Sequence, residues 1–181
     1  MSRPKLIGLV GRARSGKDSV ARRLYQYSYH PLSLAEPLKR AACEIFGIPF
    51  YQAEGKDFDR EAVDPTWGIS VREMLQKLGT EGVRDVFGED HWVRLLAKRL
   101  DFASGAGYLS VVTDIRFPNE VEMIRARGGE IWGVVREGYD HGPVEHESER
   151  LAAENLEEVS DRILTASDLE TLYSTVDRYM Q

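Results

Sequence analysis

The sequence predicts an α/β domain in which helices cover both faces of a mostly parallel sheet. Three observations lead there. Leu6–Ser19, LIGLVGRARSGKDS, reads as a buried strand, a glycine turn and the start of a helix. Tyr108–Thr113, YLSVVT, is a second strongly apolar strand and runs into Asp114. Strand-like and helix-like stretches alternate along the rest of the chain, as a parallel sheet with helical crossovers requires.

The first strand takes Leu6–Val10, the turn takes Gly11–Gly16, and the helix begins near Lys17 with Val20, Ala21 and Leu24 as its apolar face. Such a turn gathers backbone N–H groups at the positive end of a helix, an arrangement that suits phosphate oxygens. Gly11, Gly16 and Lys17 keep the Walker A spacing G-x-x-x-x-G-K, whose lysine reaches the β and γ phosphates. Asp18 stands where that motif has its Mg²⁺-binding Ser or Thr, and Ser19 follows it. His30–Ala35 reads as a second strand, and Glu36-Pro37 opens a helix on Leu38, Ala41, Ala42, Ile45 and Phe46. Lys39 then lies just past a strand end, where α/β sheets hold ligands, and reads either as an anion contact or as a solvated helix lysine. Gly47–Gly68 is polar and broken by Pro and Gly, and reads as a long loop or small excursion over the site.

Ser70-Val71-Arg72-Glu73 has capping-box spacing and starts a helix on Val71, Met74, Leu75 and Leu78, with Arg72 and Gln76 on one face. Gly79 ends that helix, and Thr80-Glu81 restarts one through Arg84 and Phe87. A further helix covers Asp90–Phe102 with His91 and Trp92 in its first turn, where Trp92 by itself reads better as core. Asp114, a carboxylate at the tip of an apolar strand in a chain with a phosphate loop, looks like a Walker B position. Arg116, two residues on, offers a bidentate fork for phosphate. A helix with Pro118 near its start runs to Gly128-Gly129, and a strand over Glu130–Val135 is closed by Arg136 at the same ligand edge. Glu137–Glu149 is a polar loop whose His141 and His146 lack zinc spacing. A helix from about Ser148, a short strand over Arg162–Leu164 and a second capping box, Ser167-Asp168-Leu169-Glu170, complete the chain.

At 181 residues the chain fits one domain with a real core. A formal charge of −6 and a pI near 5.3 argue against a wrapper of nucleic acid and for small-molecule partners. No apolar run nears the ~18 residues of a membrane span, so no membrane partner is expected and the chain reads as cytoplasmic. Cys43 excludes an internal disulfide, fits a reducing compartment and reads as a core residue. Lys39, Arg72, Arg116 and Arg136 spread cations over several strand ends and loops. That suits a kinase whose acceptor is already phosphorylated, because two anions must be brought together.

The segments GRARSGKDS, LAEPLKRAA, VREMLQKLGTEGVRDVFGEDHW, VVTDIRFPNEVEMIRARGGEIWGVVR and HESE follow one another over about residues 5 to 150. Together they resemble the deoxynucleoside monophosphate kinases of tailed bacteriophages, within the P-loop nucleoside monophosphate kinase group. The resemblance implies a P-loop NTPase fold in a single domain, 1–181, with 36–104 as a mainly helical substrate-binding insertion and 137–150 as a short lid-like loop. It implies transfer of the γ-phosphoryl of ATP to a deoxynucleoside 5′-monophosphate with Mg²⁺. It also implies the host cytoplasm for a phage-encoded protein, and a homodimer as a possible assembly. On the same basis Gly11, Arg12, Ala13, Arg14, Ser15, Gly16, Lys17, Asp18, Ser19 and Arg136 hold ATP. Lys39, Arg72 and Arg116 grip the acceptor phosphate, and Gln76, Gly79, Thr80, Trp92 and Glu120 contact the rest of the acceptor, Trp92 as a base-stacking candidate. Lys17, Asp114 and Arg116 are the catalytic set; Asp114 holds metal or orients the acceptor, with Asp18 or Ser19 as the other metal contact. Adenylate kinases carry a long arginine-bearing lid, whereas Arg136–Arg150 is short and mainly acidic, so Arg136, Arg150, Arg12 and Arg14 all compete for that role. Two other readings stay open: a P-loop kinase of another phosphorylated small molecule such as dephospho-CoA, and an acceptor-independent NTPase or regulator.

Overall fold

A computed structural model describes residues 3–55, 58–140 and 150–181, with only the backbone of Arg150. In chain order the elements begin with β1 (Leu6–Val10), α1 (Lys17–Tyr25), β2 (Tyr29–Leu32), α2 (Ala35–Phe46) and α3 (Phe50–Glu54). Then come α4 (Val71–Gly79), a π-helical turn (Thr80–Arg84), α5 (Asp85–Phe87), α6 (His91–Gly105) and β3 (Leu109–Val112). The chain continues through α7 (Pro118–Ala126), β4 (Glu130–Arg136), α8 (Arg150–Glu154), α9 (Leu156–Val159), β5 (Arg162–Ala166) and α10 (Leu169–Tyr179). These form two compact units, one of Met1–Ser33 with Ala97–Gln181 and the other of Leu34–Leu96.

The first unit holds a sheet which, among the described residues, has five parallel strands in the order β2-β3-β1-β4-β5. β1 lies at its centre, with Gly8 opposite Val112 on one side and Ile131 on the other. Strands on both edges and helices over both faces bury every β1 residue, which is why its sequence is a continuous apolar run and does not alternate. One face packs on Val20, Ala21 and Leu24 of α1 and on Leu172 and Val176 of α10, around the fully buried Trp132. α7 lies against β1 and β4. There Gly8 permits close approach, since a Cβ would meet Ile131 Cδ1 at 2.9 Å and Ile115 Cγ1 at 3.2 Å. β2 carries Pro31, and its place at the sheet's edge fits a residue that has no N–H to give to a second neighbour.

The second unit has its own small core. Ile48, Ala53, Val71 and Met74 are buried together, with Cys43, Phe46, Phe58, Ile69 and Leu75 packed on them. The stretch read as a long loop or small excursion, Gly47–Gly68, contains a helix, α3, whose Ala53 is fully buried. Much of its remainder is fixed by polar turns: the Asp64 carboxylate accepts from the N–H groups of Thr66 and Trp67, and the Trp67 indole donates to the Phe46 carbonyl at 3.0 Å. Ser70 caps α4 as its spacing predicts, its hydroxyl accepting from Glu73 N–H at 3.2 Å.

Three other local expectations shift. Gly79 does not stop the chain's helical path, which runs into the π-helical turn. The helix expected from Ser148 is described from Arg150 as two short pieces, α8 and α9. α10 is capped by Asp168, which accepts from Thr171 N–H at 2.8 Å, and not by a Ser167–Glu170 box; the Ser167 hydroxyl donates to the Asp168 carboxylate. No helix among the described residues is long and apolar enough to cross a membrane.

Candidate functional site

The strand order decides which loops share the carboxyl edge of the sheet. The loop after β1 is flanked by the segment after β3 on one side and by those after β4 and β5 on the other. Ligands in open α/β sheets collect at such an edge, where the connections diverge from a central strand.

The loop after β1 is built for close approach. At Gly11 a Cβ would sit 2.6 Å from both Ser15 Oγ and the Val134 carbonyl, so a larger residue would displace the turn. Gly16 caps α1 at φ 107°, left-handed backbone that a side chain would strain. Arg14, at φ 61°, occupies the left-handed region as a non-glycine, at a cost of about 1–2 kcal/mol. The Lys17 ammonium lies over the turn, donating to the carbonyls of Gly11 at 2.7 Å and Arg12 at 2.8 Å. Ser15 Oγ is buried and has no hydrogen-bond partner among the described residues. A buried hydroxyl of this kind just before the N-terminus of α1 suits a phosphate oxygen.

A hollow of about 380 Å³ opens beside this turn, lined by Arg14, Lys17, Asp18, Ser19 and Arg136 and by Ala166–Leu169. Tyr139 joins two of its cations: the Arg136 guanidinium stacks 4.9 Å from the Tyr139 ring centre, and Arg14 donates to the Tyr139 hydroxyl at 3.4 Å. Arg12 lines a different hollow, with Val135, Ala152 and Glu157. Ala13 is exposed at the tip of the turn.

On the other flank, β3 delivers Asp114 and Arg116 next to β1, where Ile115 N–H donates to the Leu9 carbonyl. Asp114 Oδ2 accepts from the Ser33 hydroxyl at 2.7 Å, and the Ser33 carbonyl accepts from Arg99 at 2.8 Å. Arg116 is exposed. Glu120, 6% exposed in the first turn of α7, accepts from the backbone N–H groups of Arg116 at 2.6 Å and Phe117 at 3.1 Å. Burial pushes its carboxyl up to about 7 against the pull of those two N–H groups, and Asp114 adds repulsion.

Gly11–Ser19, Asp114, Arg116, Glu120 and Arg136 thus belong to the first unit, at one end of its sheet. Lys39, Arg72, Gln76, Gly79, Thr80 and Trp92 belong to the second. There Arg72 and Gln76 lie exposed on one face of α4, with Arg72 ion-paired to Glu61. The Trp92 indole donates to the Gly79 carbonyl at 3.1 Å, tying the start of α6 to the π-helical turn that Thr80 opens. Lys39 lies one turn into α2. Arg150 and the histidines His141 and His146 fall on side chains outside the described residues.

Sequence reasoning missed Ser33, Arg99, Tyr139 and the Ala166–Leu169 rim. Ser33 follows a strand end and was within reach of the carboxyl-edge rule. The rim was not, because it depends on β5 lying beside β4.

Among the described residues no group of three or more His, Cys, Asp or Glu side chains gathers as a metal cage. Mg²⁺ rarely requires one; it takes one or two carboxylates together with substrate phosphates and water. The hard oxygen donors of Asp18, Ser19 and Asp114 beside a phosphate-shaped turn fit that ion.

The family model for deoxynucleotide monophosphate kinase matches residues 60–176. A protein of Acanthamoeba polyphaga mimivirus, provisionally named a deoxynucleotide monophosphate kinase, is 32% identical over 145 residues, covering 74% of this chain and 75% of its own. The deoxynucleotide monophosphate kinase of Escherichia phage RB69 is 34% identical over 126 residues, which is 67% of this chain and 50% of the phage protein. Among solved structures, a dephospho-CoA kinase from Campylobacter jejuni aligns with a TM-score of 0.56 over 97% of this chain and 96% of that one. At 9% identity, that likeness shows a shared fold. By its sequence this chain belongs to the deoxynucleotide monophosphate kinase family.

Proposed function

We infer that this protein transfers the γ-phosphoryl group of ATP to a deoxynucleoside 5′-monophosphate, giving the diphosphate and ADP. One observation carries the reading: in a chain of this family, the Gly11–Ser19 phosphate turn is set on β1 beside the strand that bears Asp114 and Arg116. In the transfer, an oxygen of the acceptor phosphate bonds to the γ-phosphorus as the bond to the β–γ bridging oxygen breaks. No protein nucleophile is required, because positioning and charge neutralisation carry the step.

The roles follow from chemistry. Backbone N–H groups of the turn and the Ser15 hydroxyl hold β-phosphate oxygens, and Lys17 exchanges its two carbonyl partners for the moving phosphoryl group. Asp18 or Ser19, with Asp114, would hold Mg²⁺, which when bound would neutralise phosphate charge. Ser33 keeps Asp114 in one rotamer. Arg14 and Arg136 border the hollow that receives the donor nucleoside, and Arg116 grips the acceptor phosphate. In the second unit Lys39, Arg72 and Gln76 serve the acceptor; Arg72 must first release Glu61. Trp92 shapes the π-helical turn through Gly79 while its ring offers a stacking face. The setting is a cytoplasm with small-molecule partners.

The test is ADP release from ATP and Mg²⁺ with each deoxynucleoside monophosphate, each ribonucleotide and dephospho-CoA offered separately. Stimulation by deoxynucleotides is expected. Steady ATP loss without stimulation by any acceptor refutes the reading, and stimulation by dephospho-CoA replaces the acceptor.

A further inference from the structure

We propose that Glu120 is a positioning residue that acts on the acceptor through Arg116, and does not itself touch the substrate. This rests on the reading of Arg116 as the acceptor-phosphate contact. The segment between β3 and α7 is pinned at two places. Ile115, 2% exposed, donates its N–H to the Leu9 carbonyl of β1 at 3.3 Å. One residue later, a single oxygen of Glu120 accepts from both Arg116 N–H at 2.6 Å and Phe117 N–H at 3.1 Å. Phe117 has no side-chain oxygen to cap α7, so the helix is capped in reverse: its third residue reaches back to bind the N–H groups before the first turn.

The consequence is specific to Arg116. Arg116 is exposed as a residue, and the backbone from which its side chain projects is held on one side by the sheet and on the other by a buried carboxylate. A long arginine side chain samples many rotamers, and a fixed Cα narrows the region its fork sweeps. At 6% exposure the Glu120 carboxylate is turned into the protein. A group in that position orders the loop and leaves phosphate contact to the arginine.

The experiment is steady-state kinetics on Glu120→Leu, Glu120→Asp and Glu120→Gln, with Arg116→Ala and the double variant Arg116→Ala/Glu120→Leu. Melting temperature is measured for each. Leu removes the accepting oxygen, and Asp withdraws it from at least one N–H. Each is expected to lower kcat/KM for the acceptor about 10- to 100-fold, since ~1 Å of misplacement costs on that order, with KM for ATP within about twofold. Gln keeps an accepting oxygen in place and is expected to restore most of the activity. In the Arg116→Ala background Glu120→Leu should cost nothing further, because the two act as one unit.

Three results overturn the proposal: loss in Glu120→Gln equal to that in Glu120→Leu, losses that add in the double variant, or melting temperatures that fall in Leu and Asp with kinetics of the folded enzyme unchanged. Should Glu120→Leu fail to fold, Glu120→Asp decides. If Arg116→Ala leaves acceptor kinetics intact, the reading of Arg116 fails together with this proposal. If Arg116→Ala is impaired and the Glu120 variants are not, this proposal fails by itself.

Discussion

Glu120 also makes a prediction about stability. Burial raises its carboxyl to about 7, whereas in the unfolded chain it titrates near 4.5. Between those two pH values the folded protein holds a proton that the unfolded chain has released. Stability from this group is therefore fully present below pH 4.5, declines as pH rises, and levels off above 7. At about 1.4 kcal/mol per pH step, the decline amounts to about 3 kcal/mol. Glu120→Gln removes the ionisation and keeps an oxygen for the N–H groups of Arg116 and Phe117. Its added amide N–H₂ brings a cost or gain that does not vary with pH. The quantity to follow is thus the difference in unfolding free energy between wild type and variant, from urea titrations across pH 4.5 to 8. The difference should move in the variant's favour by about 3 kcal/mol as pH rises to 7 and then stay level. Other carboxylates, such as Asp168, whose N-cap bond from Thr171 N–H holds it below the usual range, titrate in both proteins and cancel. Parallel stability profiles through this range would refute the assignment of a buried, proton-retaining Glu120.

Lys17→Ala should lower kcat by a hundredfold or more, about 3 kcal/mol or greater, with a nearly unchanged melting temperature. Turnover near wild type would remove the phosphate-turn assignment. Gly11→Ala forces a Cβ to 2.6 Å from Ser15 Oγ and the Val134 carbonyl, so it should cost about 1–3 kcal/mol in stability and weaken ATP binding measured by titration calorimetry. Trp92→Phe deletes the indole donor to Gly79 while keeping an aromatic face. A loss of about 1 kcal/mol in stability with a changed acceptor KM is expected, and identical values in both would leave the indole without a role. Ser33→Ala removes the hydroxyl that donates to Asp114 and should reduce kcat more than either KM.

Much of this arrangement could be read from local pattern, and the exceptions have physical causes. Leu6–Ser19 and the Thr113–Arg116 strand end were legible because a buried central strand, a left-handed Gly16 and a strand-tip carboxylate each leave a short, strong signature. Strand order leaves none. That β5 lies beside β4, and so brings Ala166–Leu169 to the hollow beside a turn about 150 residues earlier in the chain, is a property of packing that no local pattern carries. α3 escaped because five residues carry less than two helical turns, and Ala53, its buried anchor, is indistinguishable by type from a surface alanine. At α10 the capping signal was present but one residue out of frame: Ser167 and Asp168 are both good caps, and the geometry chose Asp168. Glu120 was named as an acceptor contact, and its burial could not be seen in a helix start that reads PNEVEM.

The centre of the sheet has a bearing on how the chain is made. β1 is translated before both of the strands that flank it, and it cannot be completed until β3 and β4 have emerged about a hundred residues later. Until then Ile7 and Leu9, which end fully buried, have no sheet to join. A nascent chain halted before Glu130 would carry the entire phosphate turn and still leave β1 with an open edge, a template for pairing with other chains. Translation of the turn and completion of the sheet that carries it are thereby separated in time: Gly11–Ser19 is made well before β3 and β4 close around β1.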